Sequence, residues 1–392
     1  MSEIMIPYST QSIDATDFDA VLETLSSPYL TCGPKVTEFE NAVCEYTGAR
    51  HAVAVNSCTS ALHLAMMALG VGKEDTVYVS AVSFVASANC ARMCGARVEF
   101  VDVDPISGNL DVAALEAQLQ DAAEQNALPK VLVAVDMAGR RCDFAAVKRL
   151  SLTYGFKIVE DAAHALGASY CGDRTGSGKY ADITCLSFHP VKIITTCEGG
   201  MALTDDETLA SRMRALSSHG IVRDEDRLCE KGRPAFYYEM QELGFNYRMS
   251  DLHAALGLSQ MSRLNVFLEM RRKKARLYEE LLKDCPHLRL PAGDDENSQS
   301  AWHLYQVEIK NGRRDEIYRK MREAGIGVQI HYLPIYDHPY YRALGGYHEL
   351  TGAESFYRGT LSIPLYPTLS NLKQQMVAAK LCSLCDRMQE HQ

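Results

Sequence analysis

The sequence predicts an α/β chain: a large domain built on a mostly parallel sheet flanked by helices, then a smaller C-terminal α+β domain. Three observations lead there. From residue 52 short β-rich runs alternate with amphipathic helical patterns, as when strands are joined by crossover helices. A long charged helix pattern closed by Pro286 and Pro291 is then followed by a second, shorter unit. The 392 residues are also enough to bury one large core and a smaller one. The boundary falls between residues 262 and 263, giving units 1–262 and 263–392.

Taken in order, AVAVNS (52–57) precedes the helix pattern TSALHLAMMALG, TVYVS precedes FVASANCARMCG, and VEFVDVD precedes DVAALEAQLQDAAEQ. KVLVAVDM then leads into DFAAVKRLSLTYG, and KIVEDAAH and ADITCLSF read as two further strands. SDLHAALGLSQMSRL and LEMRRKKARLYEELL are helical, with the run Arg271 to Arg276 as a solvated face. The second unit offers HLYQVEIK as a strand, RRDEIYRKMREAG as a helix and VQIHYLPIY as a strand. Parallel sheets bind ligands beyond the carboxyl ends of their strands. That singles out Ser57 to Ser60, Ser83 and Phe84, Asp161 to His164, and Ser187 to Lys192.

Composition narrows the function. A net charge of −10 argues against a general nucleic-acid binder. The start, MSEIMIPYSTQS, has neither a basic n-region nor an apolar h-region, and no apolar run is long enough to span a membrane, so a cytoplasmic protein is expected. Thirteen dispersed cysteines fit reduced thiols better than a disulfide framework. Cys382 and Cys385, and likewise Cys90 and Cys94, have helical spacing and read as packing. GDRTGSGKY (172–180) does not match a phosphate loop, since Tyr180 takes the Ser/Thr place; it is a turn. No GxGxxG follows the first strand.

Three motifs carry chemistry. In SFHPVKIITTCEGG, Lys192 stands between Val191 and Ile193. Burial favours the neutral amine, a nucleophile able to form a Schiff base with a carbonyl; the plainer alternative is a lysine that snorkels to water. SCTSAL puts hydroxyls at the start of a helix, where free N–H groups and the dipole suit a phosphate, although helix capping also explains them. In IVEDAAHALG, Asp161 ends a buried strand and needs a partner, such as a protonated pyridine nitrogen; the alternative is that it caps a following helix, with Glu160 solvated. Cradle, acid and amine together are what pyridoxal phosphate requires.

The ordered set NSCTSAL, EDAAH, SFHPVK with TTCEGG, and GFNYRMSDLHAALG, closed by GIGVQIHYLPIY, resembles the DegT/DnrJ/EryC1/StrS sugar aminotransferases over nearly the whole chain. The resemblance implies a fold-type-I pyridoxal 5'-phosphate enzyme. It implies that Lys192 takes the cofactor aldehyde, Asp161 meets the ring nitrogen, and His164 contacts the ring's oxygen side. Phe84 would stack on the ring, and Thr59, Ser60 and Ser187 would hold the phosphate. Asn246 would reach a neighbouring subunit's cofactor phosphate, which implies a homodimer with shared active sites. Tyr8, Leu30, Thr31, His331 and Tyr332 match positions lining the sugar-nucleotide pocket, and Arg248 carries a charge suited to a diphosphate.

Within the family, SANCARMCGARVEFVDVD and YYEMQELGFNYRMSDLHAALGLSQ are most similar to members on the route to pseudaminic acid. These aminate the C4 ketone of a UDP-linked 2-acetamido-2,6-dideoxy-hexos-4-ulose with glutamate as donor. Cys197, where a small residue is usual before EGG, is a departure that leaves the chemistry intact. The rivals are an aminotransferase for another nucleotide 4-keto sugar, of the bacillosamine or dTDP-amino sugar routes, and a non-catalytic regulator. Lys192 argues against the dehydratase branch, in which histidine replaces it.

Overall fold

Runs such as VLVAV are apolar at consecutive rather than alternate positions, and they require burial on both faces. In a computed structural model, described for residues 5–310, 312–347 and 350–387, they form a seven-stranded sheet. Its strands are β1 (His51–Val55), β2 (Thr76–Ser80), β3 (Arg97–Val101), β4 (Val131–Val135), β5 (Lys157–Asp161), β6 (Ile183–Ser187) and β7 (Gly200–Thr204). The order across the sheet is β1-β7-β6-β5-β4-β2-β3. Neighbouring strands from β3 to β6 pair parallel, whereas β7 is antiparallel to both β6 and β1. The strand GMALT, directly after TTCEGG, is an addition to the sequence reading.

The helices begin with α1 (Ala15–Leu25), α2 (Pro34–Thr47), α3 (Cys58–Ala68), α4 (Ala86–Met93), α5 (Val112–Glu124) and α6 (Phe144–Tyr154). They continue with α7 (Glu207–Leu216), α8 (Asp251–Met261), α9 (Leu264–Leu282), α10 (Arg314–Glu323), α11 (Pro339–Leu344), α12 (Thr351–Gly359) and α13 (Asn371–Arg387). Several begin where a short polar side chain takes an orphan backbone N–H: Ser57 for α3, Asp111 for α5, Asp143 for α6, Asp206 for α7 and Ser250 for α8. Alternate residues of a strand serve opposite faces, so Val133 and Val159 join one core with Leu62 and Ala88, while Leu132 and Ile158 join another with Leu115 and Phe144.

The chain then builds a second, antiparallel sheet from β8 (Leu288–Arg289), β9 (Tyr305–Ile309) and β10 (Thr360–Ile363). Tyr278, Val307, Ile317, Leu361 and Val377 share its core. Ile6 joins that core through a bridge to Ile326, and Tyr336, Tyr341 and Phe356 pack into the large core instead, so each unit lends residues to the other. The first four residues of the N-terminal unit and the last five of the C-terminal one lie outside the described residues.

Two expectations are corrected. VQIHYLPIY is not a strand: only isolated bridges form, at Ile326 and Gln329, before a short 3-10 turn at Ile335–Asp337. A strand would send His331 and Tyr332 to opposite faces, and here both line one cavity. The run Arg271 to Arg276 is not wholly solvated either, because Arg271 is only 1% exposed. Its Nη1 donates to the carbonyls of Trp302, His303 and Leu365 at 3.1–3.2 Å. All thirteen cysteines are free thiols, and Cys285 and Cys385 lie in the C-terminal core. Of residues 172–180, Asp173–Arg174 form the second strand of a two-residue hairpin with Ser169–Tyr170, and the others are turns and bends rather than a phosphate loop. Among the described residues no helix is long and apolar enough to cross a membrane and no metal-binding cluster occurs.

Candidate active site

The carboxyl ends of β1, β2, β5 and β6 converge on a cavity of about 380 Å³, and the lead into β7 closes its wall. Strand register explains the convergence. Gly200 pairs with Val55 on one side and Ser187 on the other. A Cβ at Gly200 would collide with the backbone of Ser57 and Cys58, so only glycine lets β7 start against the tip of α3. Ser187 is thereby brought to the helix N-terminus that carries Thr59. A cleft of about 430 Å³ beside α7 is larger, but its charged lining includes Arg212 and Glu242, which pair with each other at 2.7 Å.

Lys192 lines the cavity and is partly accessible from it. Protein atoms nevertheless enclose the amine, and desolvation lowers its pKa to about 8, against weaker opposing pulls from Cys58 and Asp161. The snorkelling alternative is not what the structure shows. Asp161 is only 5% exposed. Its Oδ2 accepts from Ser87 Oγ at 2.6 Å and its Oδ1 from the Ala163 amide at 3.2 Å. Burial raises its pKa, with the two hydrogen bonds and the Lys192 charge pulling back. The residues after it form a turn, and Glu160 is buried rather than solvated.

His164 is buried, with Nε2 3.3 Å from the Tyr332 hydroxyl and Nδ1 enclosed without a partner. Desolvation, then the charges of Lys192 and His331, hold its pKa well below the usual imidazole range. His331 bonds Ser362 Oγ at 2.8 Å and is pushed down to about 3 by burial. Tyr8 lies 5.7 Å from the His331 ring, and Phe84, 59% exposed, stands at the mouth 6.3 Å from the Tyr332 ring.

Thus Lys192, Asp161, His164, Ser187, Thr59, Phe84, Tyr8, His331 and Tyr332 all line one cavity. Ser60 does not: its hydroxyl donates to Asn56 Oδ1 at 2.6 Å and its amide to Ser57 Oγ at 3.1 Å. Leu30, Thr31, Asn246 and Arg248 also lie outside the lining. Thr31 bridges Ser250, the exposed Asn246 carbonyl accepts from Asn56 Nδ2 at 3.5 Å, and Arg248 donates to Ser218 Oγ at 3.0 Å. The sequence reading missed Ser87, which stands one helical turn after Ser83 and bonds it at 2.7 Å, a spacing that could have flagged it. Glu198 of the lining was also missed, whereas Cys58 and His189 fall within the strand-end stretches singled out from the sequence. Nothing local pointed to His303, whose ring lies tilted against that of His164.

The DegT/DnrJ/EryC1/StrS aminotransferase family model matches residues 11–382. The UDP-4-amino-4,6-dideoxy-N-acetyl-beta-L-altrosamine transaminase of Campylobacter jejuni is 39% identical over 389 residues, covering 98% of this chain and 99% of that protein. Among solved structures, Helicobacter pylori PseC, an aminotransferase involved in the biosynthesis of pseudoaminic acid, superposes with a TM-score of 0.89 at 30% identity, covering 97% and 99% of the two chains. The sugar aminotransferase Spr1654 from Streptococcus pneumoniae, in its PLP form, gives 0.87 at 27% identity, covering 97% and 99%. With its parallel sheet, enclosed amine and strand-end acid, the chain belongs to the DegT/DnrJ/EryC1/StrS aminotransferase family and is a pyridoxal-phosphate-dependent sugar aminotransferase.

Proposed function

We propose that the chain transfers the amino group of glutamate to the C4 ketone of a UDP-linked 2-acetamido-2,6-dideoxy-hexos-4-ulose, giving the UDP-4-amino-4,6-dideoxy-N-acetyl-β-L-altrosamine of the pseudaminic acid route. The observation that carries the chemistry is a low-pKa amine, Lys192, in one cavity with a buried acid, Asp161. The choice of sugar rests on the near full-length likeness to the Campylobacter transaminase.

The cavity's own features fit pyridoxal phosphate. Asp161 is a buried carboxylate with only neutral donors in hydrogen-bond contact, which leaves a cationic ring nitrogen as its natural complement. The tip of α3, with Thr59 and Ser187 beside it, suits a phosphate. His164 and Phe84 both line the cavity, where His164 would meet the ring's oxygen side and Phe84 would stack on it. Bound there, the cofactor supplies an aldehyde for amines and a ring that accepts electron density. Lys192 Nζ, neutral for much of the time near pH 8, accepts the proton from the α-carbon of glutamate and later delivers one to C4 of the sugar. The low polarity around it lowers its pKa and so raises the neutral fraction.

The working unit is a homodimer with shared sites, in which Asn246 reaches the partner's cofactor phosphate, while Leu30 and Thr31 serve the sugar-nucleotide pocket and Arg248 the diphosphate. Supporting this, Phe18, Leu22 and Leu25 form an exposed apolar stripe on α1 that continues into Tyr29 and Leu30. Its place of work is the cytoplasm, in keeping with thirteen unpaired thiols. The chain is proposed to divide at residues 262 and 263 into a large cofactor-binding unit and a small C-terminal one.

Purified protein supplied with glutamate and the UDP-linked 4-keto sugar should release 2-oxoglutarate and a C4-aminated sugar identifiable by NMR. Turnover restricted to a dTDP-linked keto sugar would reassign the substrate. Failure to bind pyridoxal phosphate at all would end the reading.

A further inference from the structure

His303 takes no part in the cavity lining, is 2% exposed, and lies on the stretch that leads into β9. What puts it there is a close approach of two backbones. Gly139, at φ +98°, sits just past the end of β4. A Cβ on it would stand 2.8 Å from the His164 carbonyl oxygen and 3.1 Å from the amide nitrogens of Trp302 and His303. The Ala301 amide donates to the Gly139 carbonyl and the His303 amide to the Ala138 carbonyl, both at 2.9 Å. From the other side Arg271 grips the carbonyls of Trp302, His303 and Leu365.

This clamp presses the His303 ring onto that of His164, with centroids 4.4 Å apart and planes 38° from each other. His164 is held further by Tyr332, whose ring is close to parallel to it at 6.2 Å. One nitrogen of His164 is committed to that hydroxyl and the other is enclosed without a partner. Nothing among these groups needs a nitrogen on His303, whose Nδ1 is itself buried and unpaired. The ring face is what touches His164.

We propose that His303 is a positioning residue for transamination: its ring is the rigid backing that holds His164 at one angle in the cavity wall, where the cofactor ring is to lie. Both imidazoles are held neutral, chiefly by burial, which suits a backing that must not repel Lys192. Because His303 belongs to the stretch feeding the C-terminal sheet, its ring contact joins those of His331 and Tyr332 in tying the placement of that unit to the site. The proposal rests on the cavity being the cofactor site.

The test compares His303→Ala with His303→Phe in the full chain, reading cofactor titration, the visible absorbance maximum, kcat, and KM for glutamate. Alanine leaves His164 free to tilt, and a small misplacement at a reacting centre is expensive. Its kcat should fall by about 10- to 100-fold and its pyridoxal phosphate Kd rise about tenfold, with KM for glutamate within about threefold. Its absorbance maximum should shift from that of the unsubstituted protein. Phenylalanine keeps a flat ring and should return kcat to within about threefold. Folded alanine protein with unchanged kcat and Kd overturns the proposal, as does folded phenylalanine protein no better than alanine. Failure of both variants to fold would make His303 a core residue and overturns it equally. Failure of the site reading is distinguishable: Lys192→Ala would then keep the visible band of the unsubstituted protein.

Discussion

Glu160 and Asp161 are adjacent buried acids at the end of β5, and they serve opposite faces of the sheet. Glu160 is closed off: Arg141 meets it at 2.8–2.9 Å and Thr184 Oγ1 donates to it at 2.7 Å, with Asp136 buried beside it. Asp161 receives a hydroxyl and an amide but, among the described residues, no cation in ion-pair contact, and it opens onto the cavity. Two carboxylates of one strand are thus divided into a finished ion pair and an unfinished one. The unfinished side is where a ligand completes the charge balance.

The largest effect that could break this comparison comes from the amine across the cavity. Lys192→Ala should lower kcat by more than about a thousandfold and remove the visible absorbance of bound cofactor. Activity near that of the unsubstituted protein would show that the open side is not the reacting one. Next, Asp161→Asn should fold normally yet lose about a hundredfold or more in kcat, as expected of a group that keeps the ring nitrogen cationic.

Its neighbour should behave in reverse. Glu160→Gln leaves the Arg141 guanidinium buried with its partner's charge gone, which should cost about 3–5 kcal/mol in denaturant melts while the folded fraction keeps its kcat. Exchanged phenotypes for the two acids would invert the assignment of faces. The smallest effect sharpens the electrostatics of the open side. Capture of pyridoxal phosphate by apoprotein needs the neutral amine, so its rate should climb with pH through a midpoint near 8, well below the ~10.4 of an ordinary lysine. A midpoint above 10 would mean that the amine is not desolvated.

Much of the site was readable because strand ends are readable. Lys192, Asp161, His164 and Ser187 follow β-rich runs, and α/β sheets gather such ends on one edge. Ser60 shows the ambiguity of such motifs: hydroxyls at a helix start serve either a ligand or the cap, and the Ser60 side chain and amide bond Asn56 and Ser57. The 328–336 segment differs from its expected strand because its β-branched and aromatic residues suit strands, while tertiary packing sent His331 and Tyr332 to the same cavity. Arg271 sat in a run of charges that looked solvated, and only contact with three distant carbonyls shows it buried.

By itself, the sequence determined the alternation of strands and helices, the helix caps, and the presence of an amine, an acid and a hydroxyl cradle at successive strand ends. These follow from spacing and local chemistry, which each segment carries wherever it is placed. Only the tertiary structure decided which face each acid of β5 would serve, that glycine at position 200 would draw Ser187 to the tip of α3, and that His303 would lie behind His164. Those outcomes depend on contacts between residues far apart in the chain, and no local pattern encodes a distance across a fold.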